Sequence, residues 1–238
     1  MRPSEELKPN VINLFMGRKY SELVIAIDGP AGSGKSTVSK LVAKSLGGVY
    51  IDTGAMYRAL TLKAMRGAVD LKNEADLTKL ARSTEIDLKE ESGSLKVYLD
   101  GENVAGLIRT PELTNNVRYI ARVPGVREEM VRLQRSIGQR HGAVLEGRDI
   151  GTVVFPDADY KFYLDADPDE RARRRHKELI EAGQPVNFDD IKKDVISRDE
   201  SDMTRSVGAL KKADDAISVD TTRLSIDEVV KKILSYIK

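Results

Sequence analysis

The sequence predicts an α/β fold in which a parallel sheet lies between two layers of helices, the three-layer α/β/α arrangement. An apolar run at 23–27 leads through a glycine-rich loop into a helical pattern at 35–46. The same order then repeats, with a short strand at 49–51 followed by a helix at about 54–66. Strands that alternate with helices pair in parallel through right-handed crossovers. With 238 residues, 40% of them apolar, the chain is long enough for one such core carrying a smaller inserted lobe.

The loop after the first strand fits a phosphate-binding pattern. Gly29-Pro30-Ala31-Gly32-Ser33-Gly34-Lys35-Ser36-Thr37 contains Gly-x-x-x-x-Gly-Lys-Ser between a strand and a helix, which is the context that the motif requires. Backbone N–H groups and the helix N-terminus would bind phosphates there. We expect Lys35 to reach the β- and γ-phosphates and the Ser36 hydroxyl to ligate Mg²⁺. The alternative is a turn that only joins strand to helix. The loop thus predicts the P-loop NTPase fold and a bound nucleoside triphosphate.

The strand–helix alternation breaks at roughly 80–120. Asn73 is placed to cap a helix over 75–82. Segments 85–89 and 95–99 then alternate apolar and polar residues on either side of a turn at 91–94. This pattern predicts a small antiparallel hairpin, and antiparallel strands within a parallel pattern indicate an inserted lobe.

The core pattern resumes at Pro124-Gly125, which begins a helix with apolar residues on one face. Three further strands and three further helices are predicted. The strands cover 143–146, 160–164 and 216–219, and the helices cover 165–181, 188–203 and 225–237.

Two short motifs follow strands whose ends should meet the phosphate loop. Arg58, in the run that begins at Asp52, is placed to face a ligand beside the triphosphate. The alternative is a solvated arginine next to a packed Tyr57. An arginine at 148 would clamp a phosphate through two parallel hydrogen bonds. Asp149 could orient that arginine, accept from a base amino group, or hold Mg²⁺ through water; the alternative is a buried structural Arg148–Asp149 pair.

Two helical clusters complete the candidate site. Arg171, Arg174 and Arg175 recur at helical spacing and suggest a lid that neutralises a transferring phosphoryl group, or else a solvated charged face. Arg198, Asp202 and Arg205 share a face at i, i+4 and i+7. That second cluster could bind a sugar and a base, or form intrahelical ion pairs.

Composition restricts the function classes. A formal net charge of +1 argues against nucleic-acid binding by bulk electrostatics, and the absence of cysteine excludes disulfides and thiolate metal sites. No apolar run approaches a membrane span, and residues 1–22 lack a signal-peptide pattern, which favours a cytoplasmic protein with a frayed arm or an extra helix at 1–22.

Together these motifs resemble those of the bacterial cytidylate kinases, within the nucleoside monophosphate kinases, from about residue 23 to the end of the chain. The similarity rests on the phosphate loop and on four further stretches. These are Asp52-Thr53-Gly54-Ala55-Met56-Tyr57-Arg58, Ile108-Arg109-Thr110, Glu146-Gly147-Arg148-Asp149-Ile150-Gly151-Thr152-Val153-Val154-Phe155-Pro156 and Arg198-Asp199.

The resemblance implies a nucleoside-monophosphate-binding lobe at about 80–120, a short helical lid at about 168–183, and transfer of phosphate from ATP to CMP or dCMP with Mg²⁺, UMP being a weak acceptor. It also implies a monomer. The implied acceptor contacts are Arg58 and Arg148 to the CMP phosphate, Arg127, Asp149 and Arg205 to the cytosine, and Arg198 and Asp202 to the sugar. Thr53, Tyr57 and Arg109 lie in the matching motifs and are counted with them. Thr53 replaces a frequent serine, and Arg118 stands near the position of a base-contacting serine, so that contact is left unassigned.

Neither His141 nor His176 lies in a motif, so no general base is marked. A nucleoside monophosphate needs none, since its phosphate already carries about −1.5 to −2 charge. The rival functions are a kinase for a small alcohol such as shikimate, a GTP-binding switch, for which the typical Asn-Lys pair is absent, and a nucleic-acid-binding ATPase.

Overall fold

The computed structural model describes residues 22–91, 94–139 and 142–237. The strands are β1 Val24–Asp28, β2 Val49–Asp52, β3 Ile86–Glu91, β4 Ser94–Leu99, β5 Glu102–Asn103, β6 Ala143–Gly147, β7 Tyr160–Asp165 and β8 Ile217–Asp220. The helices are α1 Lys35–Leu46, α2 Thr53–Arg66, α3 Glu74–Arg82, α4 Pro111–Ala121, α5 Pro124–Gly138, α6 Pro168–Glu181, α7 Phe188–Met203 and α8 Ile226–Tyr236, with a π-helical turn at Ile150–Val154. The predicted extension at 1–22 lies outside the described residues except for Glu22.

Five strands form the predicted parallel sheet, in the order β2-β6-β1-β7-β8. β6 lies between β1 and β2, and every residue of β6 is buried. The register aligns Asp28 with Gly147 and Asp52 with Glu146, so the carboxyl ends of these three strands lie at one edge. That edge is where ligands bind in open α/β sheets.

Helices cover both faces of this sheet, which confirms the three-layer prediction. Ile25 and Ile27 of β1 point to one face, where they join the cluster that includes α1 and α8. Ala26 points to the opposite face and packs with Leu145 and the π-helical turn. This alternation is the two-residue period of a strand buried on both sides.

The predicted hairpin is confirmed as β3 and β4, which pair antiparallel and continue to the short β5. Its inward-facing Val97 and Leu99 pack in one cluster with Met56 and Leu60 of α2. Helix α4 follows and was not anticipated from the sequence. The overlooked signal is Thr110, whose hydroxyl accepts the Leu113 N–H at 3.3 Å ahead of a proline at the first helical position.

Helices α6 and α7 form a hairpin with a small apolar cluster of its own. Ala172 and Leu179 of α6 pack there against Ile191 and Val195 of α7. The prediction that α6 starts at 165 is wrong, because Asp165 ends β7 and Asp167 caps the helix through the N–H groups of the first turn. The α7 prediction of 188–203 matches the structure.

Candidate active site

The phosphate loop depends on glycines because its backbone is left-handed at several points. Gly32 and Gly34 have φ values of +78° and +87°, and Gly34 is the residue that precedes α1. Gly29 has φ +150°, and a Cβ there would clash with the carbonyl oxygen of Leu164. Only glycine adopts these conformations without strain, which explains the spacing of the motif.

Lys35 lies in the first turn of α1 with its side chain buried. Its Nζ donates to the carbonyl oxygen of Pro30 at 2.7 Å, which folds the side chain back over the loop. Burial, reinforced by the charge of Arg148, lowers the pKa of Lys35 to about 7, and Glu146 opposes that effect. An anion bound at the loop would restore the charged form.

Glu146, at the end of β6, is a site residue that sequence reasoning missed. Its carboxylate accepts from the Ser36 hydroxyl at 2.8 Å and from the Tyr50 hydroxyl, while the Thr53 hydroxyl donates to its backbone carbonyl at 2.6 Å. Burial and the nearby Asp52 raise the pKa of this carboxyl. The available signal was an acidic residue that ends an otherwise apolar strand.

Asp52 brings together two predicted arginines. Its carboxylate accepts the Ala55 N–H at 2.8 Å, which caps α2, and pairs with Arg58 Nη2 at 2.9 Å. Arg109, from the segment before α4, has Nη2 3.8 Å from the same carboxylate. The Nε of Arg58 is buried and has no hydrogen-bond partner in the described part of the chain.

Arg148 and Asp149 pair with different partners, so the alternative of a buried structural Arg148–Asp149 pair is wrong, as is the expectation that Asp149 orients Arg148. Asp149 pairs instead with Arg127, which also donates to the carbonyl of Ala121 at 3.2 Å and lies 5.7 Å from the ring centroid of Tyr57. Both members of this pair are buried, and burial outweighs the arginine in raising the pKa of Asp149.

Arg148 pairs with Asp202, whose second oxygen accepts from Arg205. The Arg148 Nε to Asp202 Oδ2 distance is 2.6 Å, which connects the end of β6 to α7. Burial alone would raise the pKa of Asp202, but the two arginines outweigh it and hold that pKa below its usual value. Asp202 and Arg205 do pair, but Arg205 lies beyond the end of α7 at Met203, so this is not the predicted intrahelical ion pair.

Positive charge accumulates beside this network. Arg198 forms no ion pair with any residue of the described ranges, although Asp202 is nearby. Burial and then Arg148, with further contributions from Arg58 and Arg175, lower the pKa of Arg198 to about 10. Arg148 and Arg198 also depress the pKa of Lys35, so the phosphate loop lies within electrostatic range of these two arginines.

The three arginines of α6 differ in their surroundings. Arg171 is buried, and its guanidinium donates to the carbonyls of Ala166 at 2.9 Å and Ala31 at 3.1 Å and pairs with Asp199 at 2.6 Å. Arg171 therefore joins the phosphate loop to α7 instead of presenting a free guanidinium.

Arg174 donates to the side chain and carbonyl of Thr221, whose hydroxyl donates to the carbonyl of Ser33. Arg175 is paired with Glu178 at 3.1 Å at the surface. Arg118 is exposed on α4, where its guanidinium lies 5.1 Å from the ring centroid of Tyr119.

Across the described ranges, no group of three or more metal-binding side chains of the His, Cys, Asp or Glu type is found. Nor does any described helix have the length and apolar character needed to cross a membrane.

A family model described as cytidylate kinase matches residues 25–238. The chain belongs to the cytidylate kinase family. The cytidylate kinase of Anoxybacillus flavithermus is 51% identical over 217 residues, which cover 91% of this chain and 96% of that protein. The cytidylate kinase of Clostridioides difficile is 48% identical over 215 residues, covering 90% and 98% respectively. A solved shikimate kinase from Bacteroides thetaiotaomicron aligns over 90% of this chain and 97% of its own, with 14% identity and a TM-score of 0.45.

Proposed function

We propose that this member of the cytidylate kinase family transfers the γ-phosphoryl group of ATP to CMP and dCMP, giving ADP and CDP or dCDP, with UMP a weaker acceptor. The observation that carries the proposal is the convergence of Lys35, Arg148 and Arg198, in which both arginines depress the pKa of Lys35 and Arg148 depresses the pKa of Arg198. Such crowding of cations costs stability unless anions occupy the site. Two phosphate groups, one from each nucleotide, meet that need.

The donor half is the loop Gly29–Thr37 and Lys35. The N–H groups at the start of α1 and the Lys35 ammonium would bind the triphosphate. The oxygen donors Ser36 and Glu146 suit Mg²⁺, which prefers one or two protein oxygens supplemented by phosphate and water. Bound there, Mg²⁺ would supply charge neutralisation for the phosphates. Glu146 orients the Ser36 hydroxyl for this purpose.

The acceptor half is the set of side chains between α2, α5, β6 and α7. Arg58 and Arg148 would hold the phosphate of CMP, and Asp52 and Asp202 fix their orientation. Arg109 would assist from the segment before α4. The remaining assignments follow the family pattern. Cytosine would be bound by Arg127, Asp149 and Arg205, and the sugar by Arg198 and Asp202. Thr53 and Tyr57 would be further substrate contacts.

The chemistry requires alignment and neutralisation more than proton transfer. His176 Nε2 lies 3.2 Å from the carbonyl of Val186 and its ring packs on Phe188, so it serves the α6–α7 connection; His141 lies outside the described residues. The acceptor phosphate is already an anionic nucleophile. The arginines bring it in line with the donor and stabilise the charge that develops during transfer.

Water must be excluded, because it would otherwise accept the phosphoryl group. We expect closure of the 80–120 lobe and of the lid at 168–183 to do this, with Arg174 and Arg175 on the lid side. The proposed working form is a cytoplasmic monomer that binds neither nucleic acid nor membrane.

One coupled assay tests the proposal. ATP is offered with CMP, dCMP, UMP, AMP, GMP or shikimate, using the wild-type protein and a Lys35→Met control. We expect CMP and dCMP to be the best acceptors and the control to be inactive. No turnover of CMP would overturn the proposal, and preferential turnover of shikimate would favour the small-alcohol kinase.

A further inference from the structure

Asp28 is a buried carboxylate that has no role in the proposed reaction. It ends β1 and immediately precedes Gly29, the first residue of the donor loop. Only 5% of its surface is exposed. Its side chain turns toward the neighbouring strand: one oxygen accepts the N–H of Ile150 and the other accepts the N–H of Gly151, each at 2.8 Å.

These two N–H groups begin the π-helical turn directly after Arg148 and Asp149. Asp28 is aligned with Gly147 in the sheet, so its carboxylate spans the point where β6 ends and the turn starts. The turn is tight: a Cβ on Gly147 would lie 2.6 Å from Cδ1 of Ile150. The path of the backbone here determines where the side chains of 148 and 149 project.

The groups around Asp28 are those expected for a carboxylate whose role is to hold the backbone of the turn in place. Burial raises its pKa to about 6; the two N–H donors and the Lys35 ammonium oppose that rise, and Asp149 adds to it. A buried carboxylate that accepts two backbone N–H groups is costly to replace, because a side chain without two acceptor oxygens leaves at least one donor unsatisfied.

We propose that Asp28 is a positioning residue that fixes the turn directly after Arg148 and Asp149. A side chain at the entrance to the donor loop thereby controls recognition of the acceptor nucleotide. This inference rests on the proposed function. This contact fixes the end of β1, which leads into the donor loop, relative to the end of β6, which is followed by the acceptor residues Arg148 and Asp149.

Asp28→Asn tests the proposal with almost no change in size. The amide oxygen can accept only one of the two N–H groups, and the NH₂ group faces the other donor. We expect the KM for CMP to rise about tenfold, the size of one lost buried hydrogen bond, while the KM for ATP changes less than about twofold. The CMP:UMP preference should fall as well, because the turn also carries Asp149.

Asp159→Asn is the matched control. Asp159, which directly precedes β7, accepts the N–H of Val24 at 2.9 Å at the opposite end of β1, so the same substitution is made on a carboxylate that contacts the same strand away from the site. It should leave both KM values and the base preference unchanged. Asp28→Glu is a second variant, because it keeps two acceptor oxygens and the charge but displaces them by one methylene from the Ile150 and Gly151 N–H groups. It should shift the same parameters in the same direction.

A pH series separates positioning from a general loss of structure. The ratio of the KM for CMP between Asp28→Asn and wild type cancels the titration of CMP itself. This ratio should shrink as the pH falls through about 6, where the wild-type carboxyl becomes protonated and loses one acceptor. Equal increases in both KM values, or unchanged KM values, would overturn the proposal.

Binding measurements keep this test distinct from that of the proposed function. If the wild-type protein binds CMP without phosphorylating it, the proposed function fails, whereas the dissociation constants of wild type and Asp28→Asn still report on positioning. If Asp28→Asn does not fold, Asp28→Glu decides: unchanged CMP affinity in that variant would overturn the inference.

Discussion

Arg148 Nε donates to Asp202 Oδ2 at 2.6 Å, and this contact joins the end of the central strand β6 to helix α7. Arg148→Ala should reduce kcat/KM for CMP by about 10- to 100-fold, the range for a lost charge-assisted hydrogen bond, and affect the KM for ATP much less. Steady-state kinetics with each substrate varied checks this. Arg148→Lys keeps the charge without the two-pronged geometry and should recover only part of the loss. Wild-type kcat/KM in Arg148→Ala would contradict the phosphate-clamp assignment.

The buried pair of Arg127 and Asp149 should control base selection. Asp149→Ala is expected to relax the CMP:UMP preference, measured as a ratio of kcat/KM values. It should also destabilise the protein by about 3–5 kcal/mol in denaturant titrations, because Arg127 remains buried without its partner. The double variant with Arg127→Met should recover part of that stability without restoring the preference. An unchanged preference in Asp149→Ala would argue against a role in reading the base.

Lys35→Met should abolish turnover while the protein remains folded, since the methionine preserves the apolar stem and removes the ammonium group. The measurement is kcat under saturating ATP and CMP, with circular dichroism to verify folding. Lys40→Met is the control, because Lys40 lies on the same helix with an exposed side chain. A loss of activity in both variants would indicate damage to α1 and not removal of a phosphate ligand.

Gly29→Ala should destabilise the protein and prevent ATP binding, because a Cβ would clash with the Leu164 carbonyl. Gly47→Ala separates that clash from backbone strain alone. Gly47 has φ +65°, but a Cβ added there would meet no other atom within 4 Å, so we expect a cost of only about 1–2 kcal/mol and normal kinetics. Thermal unfolding and ATP titration of both variants test the distinction, which would fail if the two behaved alike.

Asp199→Asn tests whether Arg171 supports the phosphate loop or acts as part of a lid. If Arg171 supports the phosphate loop at Ala31, loss of the Asp199 charge loosens that support and the KM for ATP should rise several-fold. Arg173→Gln, an exposed arginine on α6 paired with Glu170, should have no effect. A lower KM for ATP in Asp199→Asn would instead favour the lid role implied by the sequence, with the freed guanidinium binding phosphate.

Some contacts follow from local sequence and others do not. The Asn73 cap and the hairpin of β3 and β4 were predictable because they involve residues close in the chain. The pairing of Arg127 with Asp149, and of Arg148 with Asp202, was not, because each joins elements far apart in sequence. The adjacent residues Arg148 and Asp149 form ion pairs with different helices, α7 and α5, and the spacing of residues in the sequence does not predict this.

The donor loop and the α/β class could be predicted from the residue pattern, because they follow from local backbone demands, such as the left-handed glycines, and from compact motifs. The resemblance to cytidylate kinases supplied most of the residues now proposed for the acceptor. The position of β6 between β1 and β2, and with it the contacts of Asp28, Asp52 and Glu146, could be read only from the folded chain. Strand order is set by how buried apolar faces pack over the whole chain, so residues that are distant in sequence meet only when the sheet is assembled.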